Sequence, residues 1–259
     1  MSRVEKLLRR DKNTLIGYFP AGYPTIDQSV EACLEMVKGG VEILELGVPY
    51  SDPIMDGPVI QRATEVARAN GFRLRDTFTV IQRLRESTDV PILVMTYWNP
   101  VIRIGLREFA EQLKESGADG LITPDLIPDE ASDWIAISEE LDLDRIFLIA
   151  PSSSDARIEQ NAKASRGFVY TVSTMGITGE RANLDALARE TVSRLRKFSD
   201  RPTAVGVGIS TGDQVKEVNE YADGAIVGTA FIKAYANDGL QGLIEKTKEL
   251  ANGLELQRD

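Results

Sequence analysis

The 259-residue sequence contains no histidine and a single cysteine, Cys33. Without histidine, a Ser-His-Asp or Cys-His triad is excluded. With one cysteine besides, an ordinary Cys/His zinc site is excluded too, and so is an intramolecular disulfide. Cys33 reads as a small apolar side chain on a buried helix face. Basic residues are also in deficit: 30 Lys and Arg against 40 Asp and Glu give a formal charge of −10. That balance speaks against a nucleic-acid footprint, which needs a basic face. It leaves room for an anionic small ligand, because a helix N-terminus can hold phosphate inside an acidic protein. No apolar run approaches the ~20 residues of a membrane span. The first ten residues are charged from the start and lack the apolar core of a signal peptide. The expectation is a cytoplasmic protein without a metal site, acting on no membrane and no nucleic acid. Its chemistry must fall to carboxylates, hydroxyls, lysine, backbone dipoles or a borrowed cofactor.

What is present is a regular alternation of short apolar runs and longer amphipathic stretches. The candidate strands are 14–19, 42–46, 92–96, 120–123, 145–149, 168–171, 203–207 and 225–227. They read as continuous apolar runs, as expected of parallel strands covered on both faces. Between them, 29–37, 184–198 and 215–221 carry helical spacing, and another helix ends at Gly117. Helix ends followed by an acidic-apolar strand entry recur at Gly39-Gly40-Val41-Glu42-Ile43, Gly117-Ala118-Asp119-Gly120-Leu121 and Tyr221-Ala222-Asp223-Gly224-Ala225. These echoes suggest one βα unit used repeatedly. No linker or low-complexity segment divides the chain, so residues 1–259 are expected to form one (β/α)8 TIM barrel, which closes naturally from eight right-handed units. The competing open, doubly wound sheet needs a Gly-rich dinucleotide turn after its first strand; Pro20-Ala21-Gly22-Tyr23-Pro24 is not one.

Two strand-to-helix connections are long, from Gly47 to about Pro58 and from Val172 to about Asn183. In a barrel both emerge at the C-terminal face, where active sites sit. Glu45 lies in an apolar strand, opposite in parity to Leu44 and Leu46. Burial raises a carboxyl pKa, which suits a general acid or base; a structurally paired carboxylate is the alternative. Asp56, in the proline-stiffened loop 47–58, either caps a turn or the helix beginning at Pro58, or forms with Glu45 a pair of carboxylates in different environments. Gly206-Val207-Gly208-Ile209-Ser210 and Gly228-Thr229 follow the seventh and eighth strands, where barrels often bind phosphate; tight turns alone would also explain them. The stretch 173–181, with Gly176 and Gly179, is a candidate lid or a mobile surface loop. None of the ten lysines falls in a candidate strand, so a Schiff-base aldolase is poorly supported. Carbon–carbon cleavage on a sugar-phosphate skeleton would then need a substrate that forms its own electron sink, such as an indole protonated at C3.

The run Glu45-Leu46-Gly47-Val48-Pro49-Tyr50-Ser51-Asp52-Pro53 with Asp56-Gly57-Pro58 closely resembles the signature of tryptophan synthase alpha chains. The resemblance continues through Met95-Thr96-Tyr97, Asn99-Pro100, Pro124-Asp125-Leu126, Pro128, Ala150-Pro151, Gly176-Ile177-Thr178-Gly179, 206–210 and Val227-Gly228-Thr229-Ala230, covering nearly the whole chain in order. It implies retro-aldol cleavage of indole-3-glycerol phosphate to indole and glyceraldehyde 3-phosphate. It assigns Glu45 as general acid/base and Asp56 as the carboxylate that hydrogen-bonds the indole N–H. Tyr170 and Phe19 match pocket residues, and Thr178 matches a lid threonine. Gly179, Gly208, Gly228 and Thr229 match a phosphate site, and Asp52-Pro53 matches part of a contact with a beta chain. The family assembles as an α₂β₂ complex whose pyridoxal phosphate sits wholly on the beta partner, so no cofactor is expected on this chain. Thr229 stands where the family usually has Ser, Met175 where a smaller or polar lid residue is usual, and Ile54-Met55 where Leu-Ala is usual. Other readings weighed are the same lyase working alone, a phosphate-binding regulatory subunit without turnover, and an isomerase of sugar phosphates.

Overall fold

The structure is a computed structural model and describes residues 1–10, 12–172 and 181–254. In chain order its elements are α1 (Arg3–Leu8), β1 (Leu15–Pro20), α2 (Ile26–Lys38), β2 (Ile43–Gly47), α3 (Pro58–Ala69), α4 (Asp76–Arg85), β3 (Ile92–Met95), α5 (Trp98–Ile104), α6 (Leu106–Ser116), β4 (Gly120–Ile122), α7 (Ser132–Glu140), β5 (Asp144–Ile146), β6 (Leu148–Ile149), α8 (Asp155–Ala164), β7 (Val169–Val172), α9 (Arg181–Leu195), β8 (Thr203–Gly206), α10 (Gly212–Asn219), β9 (Gly224–Val227) and α11 (Thr229–Ala251). Every strand pairing is parallel, in the order β5-β4-β3-β2-β1-β9-β8-β7-β6.

The expected strand 145–149 is two segments, β5 paired to β4 and β6 paired to β7, with Phe147 between them. The ladder breaks there because side chains take the backbone groups. The Phe147 N–H donates to Ser165 Oγ at 3.2 Å, and the Leu148 carbonyl accepts from Asn161 Nδ2 at 2.6 Å. Since the two segments follow each other directly, they act as one barrel stave and the ring of eight staves closes through them. Two crossovers hold more helix than a single unit requires: α3 and α4 lie between β2 and β3, and α5 and α6 between β3 and β4.

Closure divides each strand into an inner and an outer set of side chains. Ile16, Ile43, Leu93, Ile122, Ile146, Phe168, Ala204 and Ile226 form the inner cluster. Val4 and Leu8 of α1 join it and stop the barrel at its N-terminal end. The alternate residues, such as Leu44, Leu46, Val94, Leu121 and Val205, pack outward against the helices. The connection 47–58 therefore opens at the end of the barrel opposite α1.

The recurring acidic strand entries have a physical basis. The Asp119 N–H donates to the Ile92 carbonyl at 2.8 Å, while its carboxylate accepts the Ile92 N–H at 2.8 Å. Asp223 does the same to Thr203, at 2.9 and 2.7 Å. Each carboxylate also holds an arginine from the preceding helical layer: Arg85 Nη2 lies 2.8 Å from Asp119, and Arg196 Nη2 lies 2.5 Å from Asp223. Asp119 further binds Arg3 of α1 at 2.8 Å, tying the plug to the barrel wall. Glu42 varies the theme, pairing with Arg10 and Lys12 at 3.0 and 3.1 Å.

The Asp119→Ala variant leaves the Ile92 N–H without its acceptor and takes the carboxylate from the half-buried Arg85 guanidinium, which keeps the Gly117, Thr88 and Val90 carbonyls. It should lower unfolding free energy by about 2–4 kcal/mol, seen as a lower urea midpoint at unchanged slope. An unchanged midpoint would show that water replaces the carboxylate at no cost.

Candidate active site

A cavity of about 300 Å³ occupies the C-terminal mouth of the barrel, lined by residues of β1, β2, β7 and β9 and by the connections that leave β2, β8 and β9. Its chemistry begins with strand parity. In β2, Ile43 and Glu45 share the inner face, so Glu45 stands one layer above Ile43 and reaches the cavity floor. The residue is 1% exposed, and neither carboxylate oxygen has a hydrogen-bond partner among the described residues. Burial, assisted by the charge of Asp56, raises its pKa to about 8. The paired-carboxylate alternative for Glu45 does not describe this arrangement.

Asp56 enters from the 47–58 connection and lines the same cavity. Burial raises its pKa to about 6. Its side chain does not cap α3: the N-cap position is Gly57, with no side-chain cap bond, and Pro58 supplies the first turn. The loop is held from two sides. Gln61 Nε2 of α3 donates to the Asp56 carbonyl at 2.8 Å, and the Met55 N–H donates to the Tyr97 hydroxyl at 2.8 Å. Both carboxyls thus hold their protons more tightly than free ones, and Glu45, the more deeply buried, holds its proton the more tightly of the two.

A perturbed carboxyl alone would not single out this place. Asp144 is equally buried, with a pKa raised to about 6 by burial. It begins β5, at the N-terminal end of the barrel, and faces Arg166 Nε at 3.4 Å. It lacks the cavity that Glu45 and Asp56 share.

The other end of the cavity suits an anion. Gly206, Gly208, Gly228 and Thr229 all line it. Two helices start nearby, and they differ. The first N–H groups of α10 are engaged by a capping box of Thr211 and Gln214, and Gln214 Oε1 also accepts the Ser210 N–H at 2.8 Å. The start of α11 at Gly228-Thr229 has no side-chain cap, which leaves its dipole and N–H groups for a ligand. Gly208 adopts φ +69, a conformation that side-chain-bearing residues avoid, in a loop with open space around its Cα.

Most of the site residues anticipated from sequence converge here: Glu45, Asp56, Tyr170, Gly208, Gly228 and Thr229. Phe19 does not, and that expectation is corrected. It occupies the outer face of β1, fully buried, with its ring 5.9 Å from Tyr23 and 5.6 Å from Tyr235. Its neighbour Tyr18 takes the inner position, pairs in register with Glu45 and lines the cavity. A Cβ on Gly47 would meet the Tyr18 hydroxyl at 2.1 Å, so glycine at 47 is what lets that ring lie across the floor. Parity with Glu45 in the paired strand could have marked Tyr18. The apolar wall residues Met95, Pro124, Leu148 and Val172 were not marked as pocket residues by the sequence, although Met95 and Pro124 stand in the motifs of the family resemblance. Thr178 and Gly179 lie outside the described residues, as does most of the candidate lid. Asp52 is exposed and Pro53 partly so, on the rim of the same connection.

No lysine is among the described residues that line the cavity, and these residues do not fit a Schiff-base-linked pyridoxal phosphate. Among the described residues, no group of three or more His, Cys, Asp or Glu side chains is placed to hold a metal ion. Among them, too, no helix is long and apolar enough to cross a membrane.

Comparison with known proteins agrees with this geometry. The family model described as tryptophan synthase alpha chain matches residues 4–257. A tryptophan synthase alpha chain of Leifsonia xyli is 53% identical over 257 residues, 98% of each chain. One of Mycobacterium marinum is 50% identical, covering 94% of this chain and 90% of its own. Among solved structures, the tryptophan synthase of Mycobacterium tuberculosis superposes with a TM-score of 0.92 at 47% identity, covering 98% of this chain and 99% of the other. A tryptophan synthase complex from Pyrococcus furiosus superposes at 0.84 with 32% identity, over 94% and 98%. Matched almost end to end by the family model and by a relative 53% identical over 98% of each chain, the protein belongs to the tryptophan synthase alpha chain family.

Proposed function

We propose that this chain cleaves indole-3-glycerol phosphate to indole and glyceraldehyde 3-phosphate. The observation that carries the reading is one cavity holding a buried Glu45 with no hydrogen-bond partner among the described residues, a second carboxyl, Asp56, beside it, and an uncapped helix N-terminus at its far end. The phosphate binds the Gly208 loop and the start of α11. The indole ring lies against the apolar wall of Met95, Leu148 and Tyr170. Protonated Glu45 gives its proton to indole C3, and the ring becomes an indolenine whose positive charge centres on the N–H. The Asp56 carboxylate accepts a hydrogen bond from that N–H and stabilises the charge. The bond between C3 and the glycerol carbon then breaks, its electron pair restoring the aromatic ring. The hydroxyl on that carbon becomes the aldehyde, and its proton returns to Glu45. Glu45 ends as it began, so no external acid or base is consumed. Thr178 and Gly179 complete the substrate site on this reading, from the lid and the phosphate side.

The rim supports a partner. Ile54, Ile102 and Ile127 are 78%, 52% and 41% exposed, on the segments that follow β2, β3 and β4 in succession. With Asp52 and Pro53 they form an apolar border to the cavity mouth of the kind that a beta chain would cover. The proposed assembly is an α₂β₂ complex in the cytoplasm, indole passing directly to a pyridoxal phosphate site on the beta chain. This chain carries no cofactor of its own.

Glu45→Gln should abolish indole release from indole-3-glycerol phosphate while preserving binding of a substrate analogue; surviving turnover would remove Glu45 from the acid/base role. The same variant tests the pKa. A carboxyl raised from 4.5 to about 8 on folding contributes stability below pH ~4.5 that is lost as pH rises through 8. Wild-type melting temperature should therefore fall between pH 6 and 9 by more than that of Glu45→Gln, and parallel curves would contradict the shift. Asp56→Asn should cut kcat by about 10²–10³-fold, the scale of a lost electrostatic contact in a transition state, with a modest change in KM. A change in melting temperature alone would point to a purely structural residue. Ile54→Asp should weaken co-elution with a cognate beta chain, and full co-elution would move the docking surface elsewhere.

A further inference from the structure

Tyr97 lies behind the acidic loop rather than in the cavity. It is buried, does not line the pocket, and occupies the N-cap position of α5 in an extended conformation. Its place is fixed on its own side by Asp125, whose two carboxylate oxygens accept the Trp98 N–H at 2.9 and 3.0 Å. On the other side it meets the loop that carries Asp56. The Tyr97 hydroxyl accepts the Met55 N–H at 2.8 Å, one residue before Asp56. Two further contacts join the same segments. Asn99 Nδ2 donates to the Tyr50 hydroxyl at 2.8 Å, and the Tyr50 and Tyr97 rings lie 5.3 Å apart. Tyr50 precedes Asp56 on the loop, and Asn99 follows Tyr97 on α5, so the two segments are bound at two points each.

The loop needs such a clamp. Between Tyr50 and Gly57 it forms no strand or helix. Its own backbone bonds are two tight turns, from the Ile54 N–H to the Asp52 carbonyl at 3.0 Å and from the Asp56 N–H to the Pro53 carbonyl at 3.3 Å. Its prolines stiffen it without attaching it to the barrel. The outer attachment at Gln61 holds the Asp56 carbonyl and leaves the preceding amide free, and Tyr97 takes that amide. Burial and the charge of Asp56 push the Tyr97 phenol up, so it stays neutral across the working pH range, and its oxygen accepts the Met55 N–H.

We propose that Tyr97 is a positioning residue for Asp56, its hydroxyl anchoring Met55 so that the Asp56 carboxylate stays beside Glu45 and in reach of the substrate ring. The inference rests on the reading of the cavity as an indole-3-glycerol phosphate lyase site. A displacement of about an ångström in a catalytic group can cost on the order of 10²-fold in rate, so the effect belongs mainly in kcat.

The test is a double-mutant cycle of Tyr97→Phe with Asp56→Asn on the full chain, following indole release from indole-3-glycerol phosphate. Phenylalanine keeps the ring beside Tyr50 and removes only the acceptor. Tyr97→Phe should lower kcat by about 10–100-fold with little change in KM, at a melting temperature near wild type. In the Asp56→Asn background it should cost less than about 3-fold, because a residue that acts through another loses its effect when that partner is gone. Near-wild-type kcat in Tyr97→Phe, or the full loss repeated in the Asp56→Asn background, would overturn the proposal. If Tyr97→Phe does not fold, Tyr50→Phe replaces it in the same cycle. That variant cuts the Asn99 link, and it should slow turnover several-fold only when Asp56 is present; no slowing, or equal slowing in both backgrounds, counts against the clamp. Failure of the wild-type chain to release indole at all would sink the lyase reading instead, so the two failures are distinguishable.

Discussion

A carboxylic acid with no hydrogen-bond partner among the described residues sits inside a closed ring of parallel strands, and the rest of the site depends on that fact. A polar group buried without a hydrogen bond is costly, and a charged one more so. Glu45 meets the constraint by holding its proton. The barrel makes the burial unavoidable: β2 pairs on both sides, its outer residues are committed to the helical layer, and its inner face has only the cavity to look into. Water exclusion from below is supplied by α1 and the inner aliphatic layer. The proton is thus retained near neutral pH by the same packing that holds the fold together.

The division of labour around that acid follows from how each group is carried. Glu45 rides on a strand, where its position is set by a ladder of backbone bonds. Asp56 rides on a connection that has no ladder, and is fixed by side-chain contacts from α3 and from the segment after β3. The proposed phosphate end needs no side-chain charge. Glycines and one uncapped helix start supply N–H groups there, consistent with a chain short of basic residues. The internal repeat belongs to a different task. Asp119 and Asp223 lock the N-terminal ends of neighbouring strands to their helices, and so secure the half of the barrel where no ligand is expected.

Much of this was legible in the chain. The strands showed as apolar runs because parallel strands are covered on both faces, and the two long connections stood out against otherwise short ones. Glu45 was conspicuous as a charge in an apolar run. What misled was parity across strands. Phe19 and Tyr18 are adjacent aromatic residues in a strand buried on both faces, and composition does not say which one points inward. The split at Phe147 was equally hidden, since it depends on Ser165 and Asn161, both distant in sequence, reaching back to backbone groups.

The sequence by itself determined the repeating βα pattern, the exclusion of histidine, zinc and disulfide chemistry, and the identity of the two carboxyls and the glycine loops. Each of these is a property of residue type or local spacing. Tertiary structure alone decided that, among the described residues, Glu45 has no cation facing it while Asp144, equally buried, faces an arginine. It also decided that α11 rather than α10 offers its free N-terminus to the cavity, and that Tyr97 reaches the loop bearing Asp56 from 42 positions away along the chain. The physical reason is common to all three. Burial, pairing and proton affinity are set by neighbours brought together through ring closure, and that closure joins β1 to β9 across most of the length of the chain.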